Sequence, residues 1–435
     1  MHSLVRPLLG FGLLIALYAL LCLEVLHRTV AALLVASIAL LIDVFYRYAS
    51  FDRILASIDL NTILLLICMM MFVGVLSRTG AFEYIAMKIS RRFGSRPYAL
   101  VSVVASITAA ISAFIDNVTT VLLLLPIVLE IVERARMDPR PIAFATVFAS
   151  NIGGTATLIG DPPNIIIGSE AHLGFDSFIY NLAPATALCM VFTLVLLKGL
   201  YREWFSEYSK TLERLKALGI ELVSERAIEV DHYVVKRALA VLLLVVAMFI
   251  LEDFLKYPPA VPPLVGVGLL LTLVRSRISV EEALRSVDLA TIMFFVAMFV
   301  VVGATDSLGV PSFIAKGIAF LAHSFVTQML AILWISALAS AFIDNIPLVA
   351  SMIPVIKALA HGHCAEPLFW ALSLGGCMGG NGTLVGASAN VVAAGILEKR
   401  GYHVSFAEFT RYGMMVLITT MTICSLYLVL RYGLG

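Results

Sequence analysis

The chain has 435 residues, of which 61% are hydrophobic and 14% charged, with a formal net charge of +1 and a mean hydropathy of +0.99. Soluble domains run at roughly one half apolar and one quarter charged, so the composition excludes a soluble globular protein and implies a polytopic all-α protein in a lipid bilayer. The near-zero charge carries no footprint for nucleic acid or for an acidic partner.

In chain order, apolar runs near residues 7–24, 29–46, 60–78, 141–168 and 180–199 are each long enough to cross a hydrocarbon core of about 30 Å at about 1.5 Å per residue. The first runs into Glu24 without an A-x-A cleavage site, and reads as a retained helix rather than a signal peptide. Residues 81–94 mix aromatics with Lys88, Arg91 and Arg92, the composition of a helix lying in the membrane interface. Residues 97–134 form two apolar arms around Asp116 and Asn117 and read as a re-entrant hairpin, with Glu130 and Glu133 at its interfacial exit. The charged stretch 201–236 reads as an amphipathic helix or solvated linker.

The second half repeats the first. D-L-N-T-I at Asp59 returns as D-L-A-T-I at Asp288, 229 residues on, with Gly74 and Gly80 matched by Gly303 and Gly309. Ser-Ala-Phe-Ile-Asp-Asn occurs at residues 112–117 and again at 340–345, and Pro126 and Pro354 keep the same spacing of 228. G-G-T-A-T-L-I-G at Gly153 matches G-G-N-G-T-L-V-G at Gly379, 226 residues on. The expected organisation is therefore residues 1–200 as repeat 1, 201–236 as a cytoplasmic linker, and 237–435 as repeat 2, giving about ten spans and two hairpins.

Five spans and one re-entrant hairpin make an odd number of crossings, so the second repeat is expected to be inverted. With the linker cytoplasmic, the outer face receives Arg6, Arg47, Arg53, Lys256, Lys316, Lys357 and Arg431, leaving twenty-three of the thirty Lys and Arg inside. That asymmetry satisfies the positive-inside rule. It predicts a multi-pass protein of the cell membrane with both termini extracytoplasmic.

Intramembrane carboxylates are costly and mark ion or solute paths, and transporters with internal repeats build their sites where the repeats meet. Asp116 and Asp344 are such carboxylates, each followed by an asparagine, Asn117 and Asn345. Residues 151–164 read N-I-G-G-T-A-T-L-I-G-D-P-P-N. Its glycines tolerate open backbone, while Pro162 and Pro163 remove amide donors, so this span is expected to break at mid-membrane. The counterpart, residues 377–390, keeps the glycines and final asparagine but has Ala387, Ser388 and Ala389 in place of Asp-Pro-Pro. The half-sites are thus chemically unequal. The candidate ion and solute ligands are Asp116, Asn117, Thr119, Thr120, Asn151, Gly153, Gly154, Thr155, Thr157, Gly160, Asp161 and Asn164 from the first half. Asp344, Asn345, Gly379, Gly380, Asn381, Thr383, Gly386, Ser388 and Asn390 come from the second. Carboxylates, amides and freed carbonyls suit a cation, with Na+ placed at Asp116, Asn117, Asp344 and Asn345, while half-helix amino ends attract an anion.

Plainer roles compete with these. Aspartate is a favoured helix N-cap, asparagine closes turns, and membrane glycines permit close packing. Asp161 either caps the segment after it or titrates. The six cysteines have no C-x-x-C spacing, which argues against disulfides or a zinc cluster, and Cys377 reads as packing. His361, His363 and Cys364 cluster in one loop but are too few for a metal site. No cofactor is expected beyond H+ or Na+ as coupling ion.

S-A-F-I-D-N-V-T-T-V together with N-I-G-G-T-A-T-L-I-G-D-P-P-N-I-I-I resembles the ion transporter superfamily, in the branch of the melanosomal P protein and its prokaryotic relatives, which also includes arsenite permeases, sodium/proton antiporters and divalent anion/sodium symporters. The resemblance spans nearly the whole chain and implies paired hairpins, broken helices, elevator-type alternating access and commonly a homodimer. The symporters carry Ser-Asn-Thr at their hairpin tips. By position, that serine is Asp116 and Asp344 here, the asparagine is Asn117 and Asn345, and the carboxylate-binding threonine is Val118 and Ile346. The resemblance thus implies a secondary transporter, not an enzyme, moving a small inorganic or organic anion, arsenite included, with H+ or Na+. The alternative is a sodium/proton antiporter. A channel and an intramembrane aspartyl protease are remoter readings, and no G-x-G-D motif supports the latter.

Overall fold

The computed structural model describes residues 2–22, 26–46, 48, 51–217, 229–360 and 365–433. Glu24, the His361, His363 and Cys364 cluster, and linker residues 218–228 lie outside the described residues. Among the described residues every regular element is a helix.

The first half opens with α1 (His2–Cys22), α2 (Arg28–Tyr46), the short α3 (Phe51–Leu55) and α4 (Leu60–Ser77). It continues through α5 (Ala81–Phe93), α6 (Pro97–Ser112), α7 (Asn117–Arg134), α8 (Arg140–Gly154), α9 (Pro162–Ala171) and α10 (Phe175–Leu200). The linker begins as α11 (Arg202–Ala217). The second half contains α12 (His232–Leu255), α13 (Val261–Val274), α14 (Val280–Leu284), α15 (Leu289–Ser307) and α16 (Val310–Leu321). It closes with α17 (Phe325–Ser340), α18 (Asn345–Leu359), α19 (Glu366–Gly379), α20 (Ser388–Lys399) and α21 (Phe406–Tyr432).

Among the described residues, six segments are long and apolar enough to cross a membrane on their own: Arg28–Phe45, Phe51–Ser77, Phe175–Leu200, His232–Glu252, Leu289–Ser307 and Phe406–Tyr432. The shorter apolar stretches Arg6–Leu21 and Val261–Val274 belong to α1 and α13, and the segment 141–168 and its counterpart in the second half fall on the interrupted pairs α8–α9 and α19–α20. Large side chains such as Leu243, Val195 and Leu430 point outward from α12, α10 and α21. On a membrane protein such a surface faces lipid.

The repeated D-L-x-T-I motif acts as a helix start. Asp59 caps α4 by accepting from Asn61 N, and Thr62 Oγ1 donates to Asp59 Oδ2 at 2.5 Å. Asp288 caps α15 through Ala290 N and Thr291 N, and Thr291 Oγ1 donates to Asp288 Oδ2 at 2.5 Å. Capping satisfies backbone donors that a helix start leaves open, which is why an acidic residue is tolerated at the edge of so apolar a run.

α6 and α7 are joined by a four-residue turn, and α17 and α18 by another. α6 packs on α8, and α17 on α19, through glycines: a Cβ at Gly153 would lie 2.2 Å from Ala109 O, and one at Gly379 2.5 Å from Ala337 O. On the linker side, Trp204 of α11 stacks on Tyr208 and donates Nε1 to Asp138 O at 2.9 Å. The amphipathic α11 therefore lies against the α7–α8 connection. Cys68, Cys189, Cys377 and Cys424 are buried free thiols.

Candidate functional site

Four interrupted elements meet inside the helix cluster: the α6–α7 turn, the α17–α18 turn, and the breaks at residues 155–161 and 380–387. The breaks are held against the turns by the same chemistry in both halves. Thr157 Oγ1 donates to Ala113 O and Thr383 Oγ1 to Ala341 O. Asn164 Nδ2 donates to Thr155 O and Thr157 O at 3.1 and 2.9 Å, and Asn390 Nδ2 to Gly380 O and Thr383 O at 2.7 and 2.8 Å. Carbonyls freed where a helix stops must find donors in a dry interior, and these side chains supply them. A Cβ at Gly160 would meet Gly154 O and Ser112 O at 2.6 Å, and one at Gly386 would meet Gly380 O at 2.7 Å, so both positions need the absence of a side chain.

Several candidate ligands are thus spent on architecture. Thr120 Oγ1 donates to Ile115 O and Thr155 Oγ1 to Asn151 O. Asn151 stands at a central junction: its Nδ2 donates to Asn381 Oδ1 at 2.8 Å and Asn390 Oδ1 at 3.1 Å, and its Oδ1 accepts from Asn117 Nδ2 at 3.3 Å. Ser112 Oγ donates to Asn117 Oδ1 at 2.7 Å. Asn381 Nδ2 is buried without a hydrogen-bond partner among the described residues, a donor in the middle of this network.

The two halves differ around Asp161. Its carboxylate is 2% exposed and accepts from Asn345 Nδ2 at 3.5 Å (Oδ1) and 3.4 Å (Oδ2). Asp161 makes no side-chain cap for α9, which disposes of the capping role. Cys377, read from the sequence as packing, sits beside this group and contacts Asn164 Oδ1 at 3.5 Å, where Ser373 Oγ also donates at 2.6 Å.

Asp116 and Asp344 each use one oxygen as an N-cap, accepting from Thr119 N at 2.9 Å and from Ile346 N at 3.1 Å. Capping and ligand roles are therefore compatible, since a carboxylate has two oxygens. Asp116 and Thr119 line a cavity of about 270 Å³, and Asp344 lines another of about 550 Å³. Ser388, Val118, Asp288 and Arg28 border both. Of the candidate ligands, Asp116, Thr119, Asp344 and Ser388 line these two cavities.

Arg28 was not among the sequence candidates. Its Nη1 donates to Ser388 Oγ at 2.6 Å and lies 3.8 Å from Asp344 Oδ2, and its Nη2 donates to Thr291 Oγ1 at 2.9 Å. From sequence it sits just before an expected span, in an ordinary interfacial position. The cation of the arms beside Asp344, Lys357, lies in the last turn of α18 and pairs with Glu170, and the basic partner of Asp344 comes instead from α2. A signal was available in the second D-L-x-T-I motif, whose threonine is one of its partners.

Comparison with known proteins agrees with this architecture. The CitMHS family, described as citrate transporter, matches residues 18–375. A 46 kDa membrane protein of Mycobacterium leprae is 37% identical, over 96% of this chain and 97% of its own length. An uncharacterized transporter of Mycobacterium tuberculosis is 36% identical over 96% and 97%. The human P protein is 34% identical over 97% of this chain, which spans 59% of that longer protein. The crystal structure of the YdaH transporter of Alcanivorax borkumensis shares the fold, with a TM-score of 0.59 at 17% identity, over 88% of this chain and 87% of that one. An interior of interrupted helices and half-buried carboxylates, in a chain matched along most of its length, places it among membrane transport proteins: the chain belongs to the citrate transporter family.

Proposed function

We propose that this protein is a secondary active transporter of a small inorganic or organic anion, coupled to H+ or Na+ and working by elevator-type alternating access. The observation that carries the reading is the meeting of carboxylates and a guanidinium at the shared border of two cavities: Asp116 on one, Asp344 on the other, and Arg28 on both. A site holding both signs of charge beside helix breaks suits a cation and an anion together. The printed description of the family, citrate transporter, supports an organic anion.

The architecture underlying this reading is a pair of inverted repeats, each of five spans and a re-entrant hairpin. Two features support it. The matched hydrogen bonds of Thr157 and Thr383 follow the sequence repeat. α6 and α17, at 16 residues each, fall short of the roughly 20 that a spanning helix needs. In the proposed orientation the linker is cytoplasmic, both termini are outside, and the protein sits in the cell membrane, as the distribution of lysine and arginine favours. A homodimer belongs to the same reading.

A sodium/proton antiporter is the second reading, favoured by the excess of carboxylates over cations among Asp116, Asp161, Asp344 and Arg28. The two separate in proteoliposomes carrying purified protein. Anion uptake that is driven by a Na+ or H+ gradient supports the anion transporter. Sodium-driven proton movement with no anion requirement supports the antiporter and contradicts the first reading.

A further inference from the structure

Arg28 is the first residue of α2 and is held from the side of α15. Thr29 Oγ1 donates to Ala290 O at 2.9 Å, and Thr291, which receives Arg28 Nη2, is itself anchored on Asp288. The other end of the guanidinium reaches across to Ser388 of α20 and to Asp344 at the α17–α18 turn. Ser388 Oγ also donates to Asp344 Oδ2, at 3.2 Å. Arg28 thus has close, directional bonds to two hydroxyls and two carboxylates to balance its charge: Asp344 in a loose contact at 3.8 Å, and Asp288, one hydroxyl away behind Thr291. The arrangement has no twin. α13 packs on α4 as α2 packs on α15, and it begins Val261-Pro262-Pro263, without a cation.

Val118 borders both cavities and Ile346 the smaller one. Neither side chain can donate a hydrogen bond, whereas Arg28 in the same cavities presents a planar fork suited to carboxylates and other oxyanions.

We propose that Arg28 reads the cargo: its guanidinium, which contacts Ser388 and Asp344, turns to a carboxylate or other oxyanion of the cargo while Asp344 takes the coupling cation. This deepens the anion-transporter reading and rests on it. The exchange of partners is itself the coupling. An anion alone strands the charge of Asp344, and a cation alone takes Asp344 from Arg28 and leaves it the more distant Asp288 behind Thr291; a poorly paired charge in a partly buried site is unfavourable. Each ligand therefore raises the affinity for the other, by the same factor.

The test is calorimetric binding of citrate, succinate, sulfate and phosphate to the purified protein, with and without Na+ and at two pH values. The wild type is expected to bind at least one of the four, more tightly with Na+ or at the lower pH. Arg28→Gln should weaken that anion by at least about tenfold and remove the cation dependence, while Arg28→Lys, which keeps the charge without the fork, should fall between. Asp344→Asn removes the competitor for the guanidinium, so it should bind the anion more tightly than cation-free wild type and show no cation dependence. Elution as a monodisperse helical protein establishes that each variant is folded, and Arg28→Lys carries the test if Arg28→Gln is not. Wild-type anion affinity in the arginine variants, or a loss in Asp344→Asn as large as in Arg28→Gln, overturns the proposal and leaves anion transport standing. Wild type that binds none of the four anions yet exchanges Na+ for H+ overturns the anion reading, and this proposal with it.

Discussion

Asn345 Nδ2 approaches Asp161 Oδ2 to 3.4 Å, so the first residue of α18, in the second half, donates to a carboxylate of the first half. Ala387 occupies the place of Asp161 in the second half and offers no acceptor to Asn117. Asn117 donates to Asn151 at 3.3 Å and also lies beside Asp161 of its own half.

That asymmetry makes Asp161 sensitive to how it is replaced. Asp161→Ala leaves the buried amide of Asn345 unpaired, at a cost of about 1 to 3 kcal/mol. Asp161→Asn keeps an acceptor for it. Thermal unfolding in detergent should show the alanine variant clearly less stable than the asparagine variant. Equal stability of the two would mean that the Asn345 contact contributes little.

The glycine contacts lead to a second expectation. Alanine at Gly153 or Gly379 drives a methyl group into the carbonyl of Ala109 or Ala337, and overpacking of this kind costs about 1 to 3 kcal/mol. Gly268→Ala is the control, because a Cβ there meets nothing within 4 Å. Melting temperatures should fall for the first two and hold for the third. A stable, active Gly153→Ala protein would contradict the close α6–α8 packing.

Topology can be read by thiol labelling. Ser209 is an exposed residue of α11 and Lys316 an exposed residue of α16. In intact cells an impermeant maleimide should label Lys316→Cys and spare Ser209→Cys. The reverse pattern would invert the proposed orientation.

The helices were legible in the sequence because length and hydropathy are local properties. The arms 97–134 resolve into α6 and α7 around the expected turn, and the Gly-rich, Pro-Pro segment breaks between α8 and α9 where backbone chemistry requires it. The carboxylates at the turns were legible because the chain writes them twice. What was not legible depends on distant partners. Arg28 finds Thr291 and Ser388 at separations of 263 and 360 residues, and nothing local distinguishes it from an interfacial arginine. Of the expected ligands, Thr157 and Thr383 give their hydroxyls to turn carbonyls, while Asn164 and Asn390 give their amides to carbonyls within the breaks. Residue type alone cannot tell a hydroxyl offered to a solute from one already given to a carbonyl.

The central claim is that the turn carboxylates couple transport to an ion gradient. Asp116→Asn and Asp344→Asn each preserve the N-cap, since asparagine caps about as well as aspartate, and each removes one charge. The decisive measurement is anion uptake into proteoliposomes driven by a Na+ or H+ gradient, set beside gradient-free anion exchange in the same vesicles. Coupling predicts that both variants exchange the anion but no longer concentrate it in response to the gradient. Wild-type driven uptake in both would show that the two aspartates only start helices, and would contradict the account.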